Sequence, residues 1–139
     1  MAGSFTVLSH TADTGIAVAA DSLSELFEWA GRGMCAQMYD IDRATADRHV
    51  EIVVESSDVS ELMVDTLAEI LYLSEAYDLV PVSFIAHEAS ATRIRLAIGV
   101  APVHPGVLVG APIKAVTYHE LAVRQLPDAT WRARVLFDV

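Results

Sequence analysis

The chain holds a single cysteine, Cys35, so no internal disulfide can brace the fold, and a reducing cytoplasm is the expected setting. Basic residues are scarce. Nine Lys and Arg against nineteen Asp and Glu leave a net charge of −10 and a pI of 4.7, which excludes a protein that coats nucleic acid directly. Mean hydropathy is positive, at +0.40, yet no charge-free run of about 18 apolar residues occurs, so a membrane-spanning helix is not expected. The opening residues MAGSFTVLSHTAD lack the basic start and apolar stretch of a signal peptide. Also missing are a phosphate-binding glycine loop, a dinucleotide fingerprint, an HExxH helix, a CxxC pair and a nucleophile elbow. No internal repeat, low-complexity tract or linker breaks the chain.

What is present is enough apolar residue, 53% of 139, to bury one core, and residues 1–139 read as a single domain. Charge is divided unevenly. Residues 1–90 carry three basic and sixteen acidic side chains, a balance of −13, whereas residues 91–139 carry six and three, a balance of +3. Such asymmetry marks either a solvated acidic face or a surface for cations or a basic partner.

Residues 5–9 and 15–20 are β-type runs joined by a turn-forming segment. Ser22 and Glu25 form a capping box, and the apolar stripe Leu23, Leu26, Phe27, Ala30, Met34 and Met38 extends the helix to about Tyr39. Cys35 sits on this helix as a small core residue. After a polar loop, residues 49–55 have strand composition, and a second capping box, Asp58 with Glu61, opens a helix to about Ala76. Glu61, Asp65 and Glu69 lie four apart on its far side, either as a solvated face or as a docking stripe. From residue 80 the period is two, and residues 80–88, 91–100, 113–124 and 130–139 read as strands. The expected architecture is α+β: a largely antiparallel or mixed sheet of about seven strands with two amphipathic helices packed on one face.

Three segments place polar residues where a core strand would not take them. His10 and Asp13 stand three apart in a turn, where they either cap the backbone or offer ligands to one point. Lys114 to Glu120 alternates polar residues on both strand faces, which suits either an edge strand or a site rim bearing Lys114 and His119. At the other end Asp138 and Val139 concentrate negative charge that is unfavourable unless answered by a cation or spread by fraying. Asp13, Asp138 and an oxygen of Val139 together make half a coordination shell for a hard divalent cation such as calcium, completed by water.

These segments carry a resemblance to a known family. HTADTGI at 10–16, SLSELFEWAGRGM at 22–34, LMVDTLAEILYL at 62–73, KAVTYHEL at 114–121 and WRARVLFDV at 131–139 are similar in order and spacing to the archeases. Thr66 and Ala68 depart from that pattern, where the family typically shows Trp and Asn, as do Pro112 and Ile113. The resemblance implies a cytoplasmic protein that is not itself an enzyme. It would activate an RtcB-type RNA ligase in tRNA splicing and RNA repair by promoting guanylylation of the ligase and its multiple turnover. It further implies a divalent metal, calcium, on Asp13, Asp138 and Val139, and a role for Lys114, His10 and His119 in activating the partner. No direct nucleic-acid contact or membrane association is expected. The alternatives are a general chaperone or modulator of RNA- or DNA-modifying enzymes such as methyltransferases, and a metal-dependent hydrolase using His119 as its base.

Overall fold

The computed structural model describes residues 3–9 and 13–139. Eight strands and two helices follow in the order β1 (Gly3–Ser9), β2 (Asp13–Ala20), α1 (Leu23–Ala36), β3 (Arg48–Glu55), α2 (Val59–Tyr77), β4 (Leu79–Ala89), β5 (Arg93–Pro102), β6 (Ala115–Val116), β7 (Ala122–Gln125) and β8 (Trp131–Asp138). The α+β class and the antiparallel pairing agree with the sequence. The strands, however, divide between two sheets. One has the order β1-β2-β8-β6 with β7 also on β8, and the other has the order β3-β5-β4.

Each helix packs against strands of both sheets, so each sheet keeps its helices on one face and leaves the other open. Two glycines in α1 make that close approach feasible. A Cβ on Gly31 would lie 2.9 Å from the Phe84 ring of β4, and one on Gly33 would lie 2.9 Å from the Phe5 ring of β1. Gly31 and Gly33 are therefore points where α1 comes close to both sheets. Between the sheets run Ile16, Val18, Val135 and Phe137 from one side and Ile94, Leu96, Ile98 and Val100 from the other, with Leu26, Phe27, Leu67 and Ile70 of the helices. Burying each such side chain contributes roughly 1.5–3 kcal/mol.

Both N-caps form, although Glu25 reaches back to the Ser22 hydroxyl and Glu61 to the residue before its cap, so neither closes a full capping box. The Ser22 hydroxyl accepts from the Glu25 N–H at 3.2 Å, and Asp58 accepts from the Glu61 N–H at 2.8 Å while Glu61 reaches back to the Ser57 N–H at 3.2 Å. Asp65 accepts from the Ser56 hydroxyl at 2.6 Å, so two members of the acidic stripe hold the start of α2. Thr66 is fully buried, and its hydroxyl is the one buried side-chain polar atom without a partner among the described residues.

The segment 113–124 is not the single strand its alternation suggests. Only 115–116 and 122–125 pair with β8, opposite 137–138 and 131–134, and residues 117–121 leave the sheet between them. The departure is local chemistry. Thr117 donates both its N–H and its hydroxyl to Leu136 O at 3.0 Å, the Leu121 N–H turns back to Tyr118 O at 3.2 Å, and Glu120 takes a left-handed φ of 52°.

Candidate functional site

The β2–β8 register brings the two separated aspartates together. Asp13 lies directly opposite Asp138, at the end of the pair, and Asp138 in turn lies opposite Ala115 on its other side. Directly opposed residues share a sheet face and hold their Cβ atoms about 4.5–5.5 Å apart. The alternate Ile16–Val135 and Val18–Ala133 pairs point to the core, and Asp138 at the end of β8 is exposed. Two like charges so opposed cost stability unless a cation answers them.

The surroundings fix this backbone. The Lys114 N–H donates to Asp138 O at 2.7 Å, which ties the start of β6 to the end of β8. Behind β2, the Thr14 hydroxyl lies 2.6 Å from Gln37 Oε1 and 3.1 Å from Leu8 O, and the Gln37 amide donates to Gly15 O at 3.3 Å. Gly15 itself sits so close to β8 that a Cβ there would stand 2.5 Å from Val135 O. The strand end that carries Asp13 is thus clamped from α1 and from β8.

Val139 follows Asp138 and is 42% exposed. The residues present suit a hard divalent cation, since the carboxylate of Asp138, an oxygen of Val139 and Asp13 all lie at one strand end and are oxygen donors. Asp138 makes no ion pair with the described residues. His10 lies outside the described residues, as does the side chain of Asp13.

His119 does not sit in a strand. It is on the extruded loop, 70% exposed, with its ring 3.3 Å from the Glu120 carboxylate. Lys114 is exposed at the foot of the same loop. Tyr118 lies beside α2: desolvation and then the charges of Asp65, Glu61 and Asp58 raise its phenol above the ordinary value. The strands on either side of the loop, β6 and β7, pack against α2, a neighbourhood that sequence spacing gave no means of finding. Cys35 is buried, and burial pushes its thiol far above the ordinary range, which leaves it an inert core residue.

Fold and strand-end geometry together define a small two-sheet α+β protein whose distinguishing feature is a pair of aspartates opposed in register at the end of the β2–β8 ladder. Residues 5–139 match the model of the Archease protein family. Protein archease of Methanosarcina acetivorans is 31% identical over 137 residues, covering 95% of this chain and 93% of that one. Protein archease of Pyrococcus furiosus is 29% identical over 142 residues, covering 94% of each. Among solved structures, protein 1598 of Methanobacterium thermoautotrophicum superposes with a TM-score of 0.75 at 25% identity, over 97% of this chain and 98% of that one. The archease of Thermotoga maritima, described as a possible chaperone, shares the fold with a TM-score of 0.65 at 20% identity, over 95% of this chain and 94% of that one. This chain belongs to the archease family.

Proposed function

We propose that this protein activates an RtcB-type RNA ligase, promoting guanylylation of the ligase and its multiple turnover in tRNA splicing and RNA repair, and that it does so as a protein cofactor in the cytoplasm, not as an enzyme. The observation that carries the reading is the Asp13–Asp138 pair closing one end of the β2–β8 ladder, with the Lys114 backbone bound to Asp138. Family membership supplies the class of partner.

In this reading Asp13, Asp138 and an oxygen of Val139 would hold a divalent cation, calcium, whose charge would offset that of the carboxylates. The bonds of Gln37 to Thr14 and Gly15 tie the backbone next to Asp13 to α1. Lys114, at the foot of the extruded loop, His119, on the same loop, and His10 make up the set assigned to the partner. The acidic surface of residues 1–90 steers the protein toward the basic surface that a ligase must present to RNA and nucleotide.

The test is ligation by the cognate RtcB-type enzyme with RNA in excess, with and without this protein. A change from one turnover to many that is lost in both Asp13→Ala and Asp138→Ala, with circular dichroism unchanged, supports the proposal. Activation that survives either substitution removes the metal centre from it. Absence of any effect on a competent ligase moves the protein to the broader reading, a chaperone or modulator of RNA- or DNA-modifying enzymes such as methyltransferases.

A further inference from the structure

We infer that the open face of the five-stranded sheet is a binding site for the terminal phosphate of a nucleotide or of an RNA end. The register lines up two rows across four strands. One row reads Ser4, Ala19, Arg132, Arg124, and the next reads Thr6, Ala17, Arg134, Ala122. Small side chains on β1 and β2 beside long ones on β8 and β7 leave a trough of about 500 Å³ between them, with Leu126 at its edge. Its floor offers the hydroxyls of Ser4 and Thr6, and its wall offers three guanidinium groups.

Those guanidinium groups stand where simple folding does not want them. Arg124 is directly opposite Arg132, a like-charge pair that destabilises a sheet, and Arg134 follows about 6.8 Å along β8. Arg124 makes no hydrogen bond or ion pair with the described residues. Arg132 donates only to neutral acceptors, Thr130 Oγ1 at 3.2 Å and Trp131 O at 2.9 Å. The carboxylates nearby are few. Glu120 is 3.7 Å from Arg134, and Asp128 is engaged with Thr130. A group bearing close to two negative charges on three oxygens satisfies this arrangement better than a single carboxylate, because planar forks can bind separate oxygens in pairs. A trough of this volume is in the range of small-ligand sites, which points to one terminal phosphate with its sugar and not to a coated strand. The net charge of −10 argues against coating and leaves this local recognition open, since the cationic groups are gathered on one face.

The inference does not depend on the ligase reading, and its test contains neither ligase nor divalent metal. Arginine Nε–Hε resonances are followed by NMR in chelator-treated protein during titration with adenosine 5′-monophosphate, with a 5′-phosphorylated hexauridylate and with the same RNA bearing a 5′-hydroxyl. The expected result is shifts at Arg124, Arg132 and Arg134 with either phosphorylated ligand, and affinity for the 5′-hydroxyl RNA at least tenfold weaker. Equal affinity for the two phosphorylated ligands assigns the site to a mononucleotide, and tighter binding of the RNA assigns it to an RNA end. Arg124→Gln and, separately, Arg132→Gln should each weaken binding by about tenfold or more, as loss of a charge-assisted contact does. Arg124→Gln should do so with no fall in Tm, since it relieves the opposed charges. Unmoved arginine resonances, equal binding of the 5′-hydroxyl RNA, or equal competition by polyglutamate would each overturn the assignment, the last in favour of an acidic protein segment.

Discussion

The two sheets handle the same problem in opposite ways. In the three-stranded sheet Arg93 and Arg95 stand two apart on β5, and each is answered from both neighbouring strands: Arg93 by Glu55 at 2.7 Å and Glu88 at 3.2 Å, Arg95 by Glu51 at 3.3 Å and Glu88 at 3.8 Å. In the five-stranded sheet Arg132 and Arg134 stand two apart on β8 in the same way, but Arg132 faces Ala19 on one side and another arginine on the other. The +3 balance of residues 91–139 is therefore not a smooth surplus. Two of its six cations are neutralised by the acidic first part of the chain, and Lys114, Arg124, Arg132 and Arg134 are left in the sheet that ends in Asp13 and Asp138. One sheet pairs both arginines of β5 with carboxylates from the neighbouring strands, and the other leaves Arg124 and Arg132 without an ion pair among the described residues and gives Arg134 only Glu120 at 3.7 Å.

If that division holds, core damage should separate along it. Phe137 is fully buried, points to the core from β8 and immediately precedes Asp138; Leu96 holds the equivalent place in β5. Each truncation to Ala should cost about 2–5 kcal/mol in denaturant unfolding. If the proposed strand-end site binds calcium, Phe137→Ala should also weaken the rise in Tm on adding calcium, and Leu96→Ala should leave that rise intact. Equal loss of the calcium response in both would erase the distinction between the sheets.

A smaller effect sharpens it. An added methyl at Gly15 meets the Val135 carbonyl, which belongs to the backbone and cannot step aside, so Gly15→Ala should push β2 off β8 at a cost of about 1–3 kcal/mol. At Gly99 in the other sheet the first obstacle is the Ser83 hydroxyl, a side-chain end that can rotate, and Gly99→Ala should cost less. Because Gly15 stands two residues from Asp13, its variant should also weaken calcium binding at the proposed site, measurable by isothermal titration. Below this lie the surface charges. Glu88→Gln removes a carboxylate shared by two arginines and should destabilise by about 0.2–1 kcal/mol, whereas Arg124→Gln should be neutral or stabilising in the same melts.

How much of this could be read from the sequence follows from range. Both helices, their caps and the strands at either end of the chain are set by local patterns, and they stand where the patterns put them. Asp13 and Asp138 could be suspected from unanswered charge, but their opposition depends on a register between residues 125 apart, which no local period encodes. The break at 117–121 escaped for a different reason: no Gly or Pro marks it, and it is made by the Thr117 hydroxyl and by Glu120 in a left-handed conformation. Thr66 stands fully buried with an unpartnered hydroxyl, which a helical stripe alone does not announce. The arginine face was hidden because six cations read as one total until pairing assigned two of them to Glu51, Glu55 and Glu88.

The smallest expected difference lies in the two hairpin turns, and it has a sign that pH can test. The β7–β8 turn is held by Asp128, which accepts from the Thr130 N–H at 3.0 Å and from its hydroxyl at 2.6 Å, and these bonds, with the Arg132 charge, hold its carboxyl below the ordinary carboxylate value. The β4–β5 turn uses Ser90, whose hydroxyl accepts from the Thr92 and Arg93 N–H groups at 3.3 and 3.1 Å and carries no charge. A carboxyl whose folded value is depressed stabilises the fold at pH above its unfolded value, and that contribution disappears as pH falls through the folded one. Wild type and Asp128→Ala should therefore differ in Tm at pH 7 and converge in acid, whereas the deficit of Ser90→Ala should stay constant over the same span. A pH-independent deficit for Asp128→Ala would mean that the charge beside Arg132 contributes nothing to the five-stranded sheet.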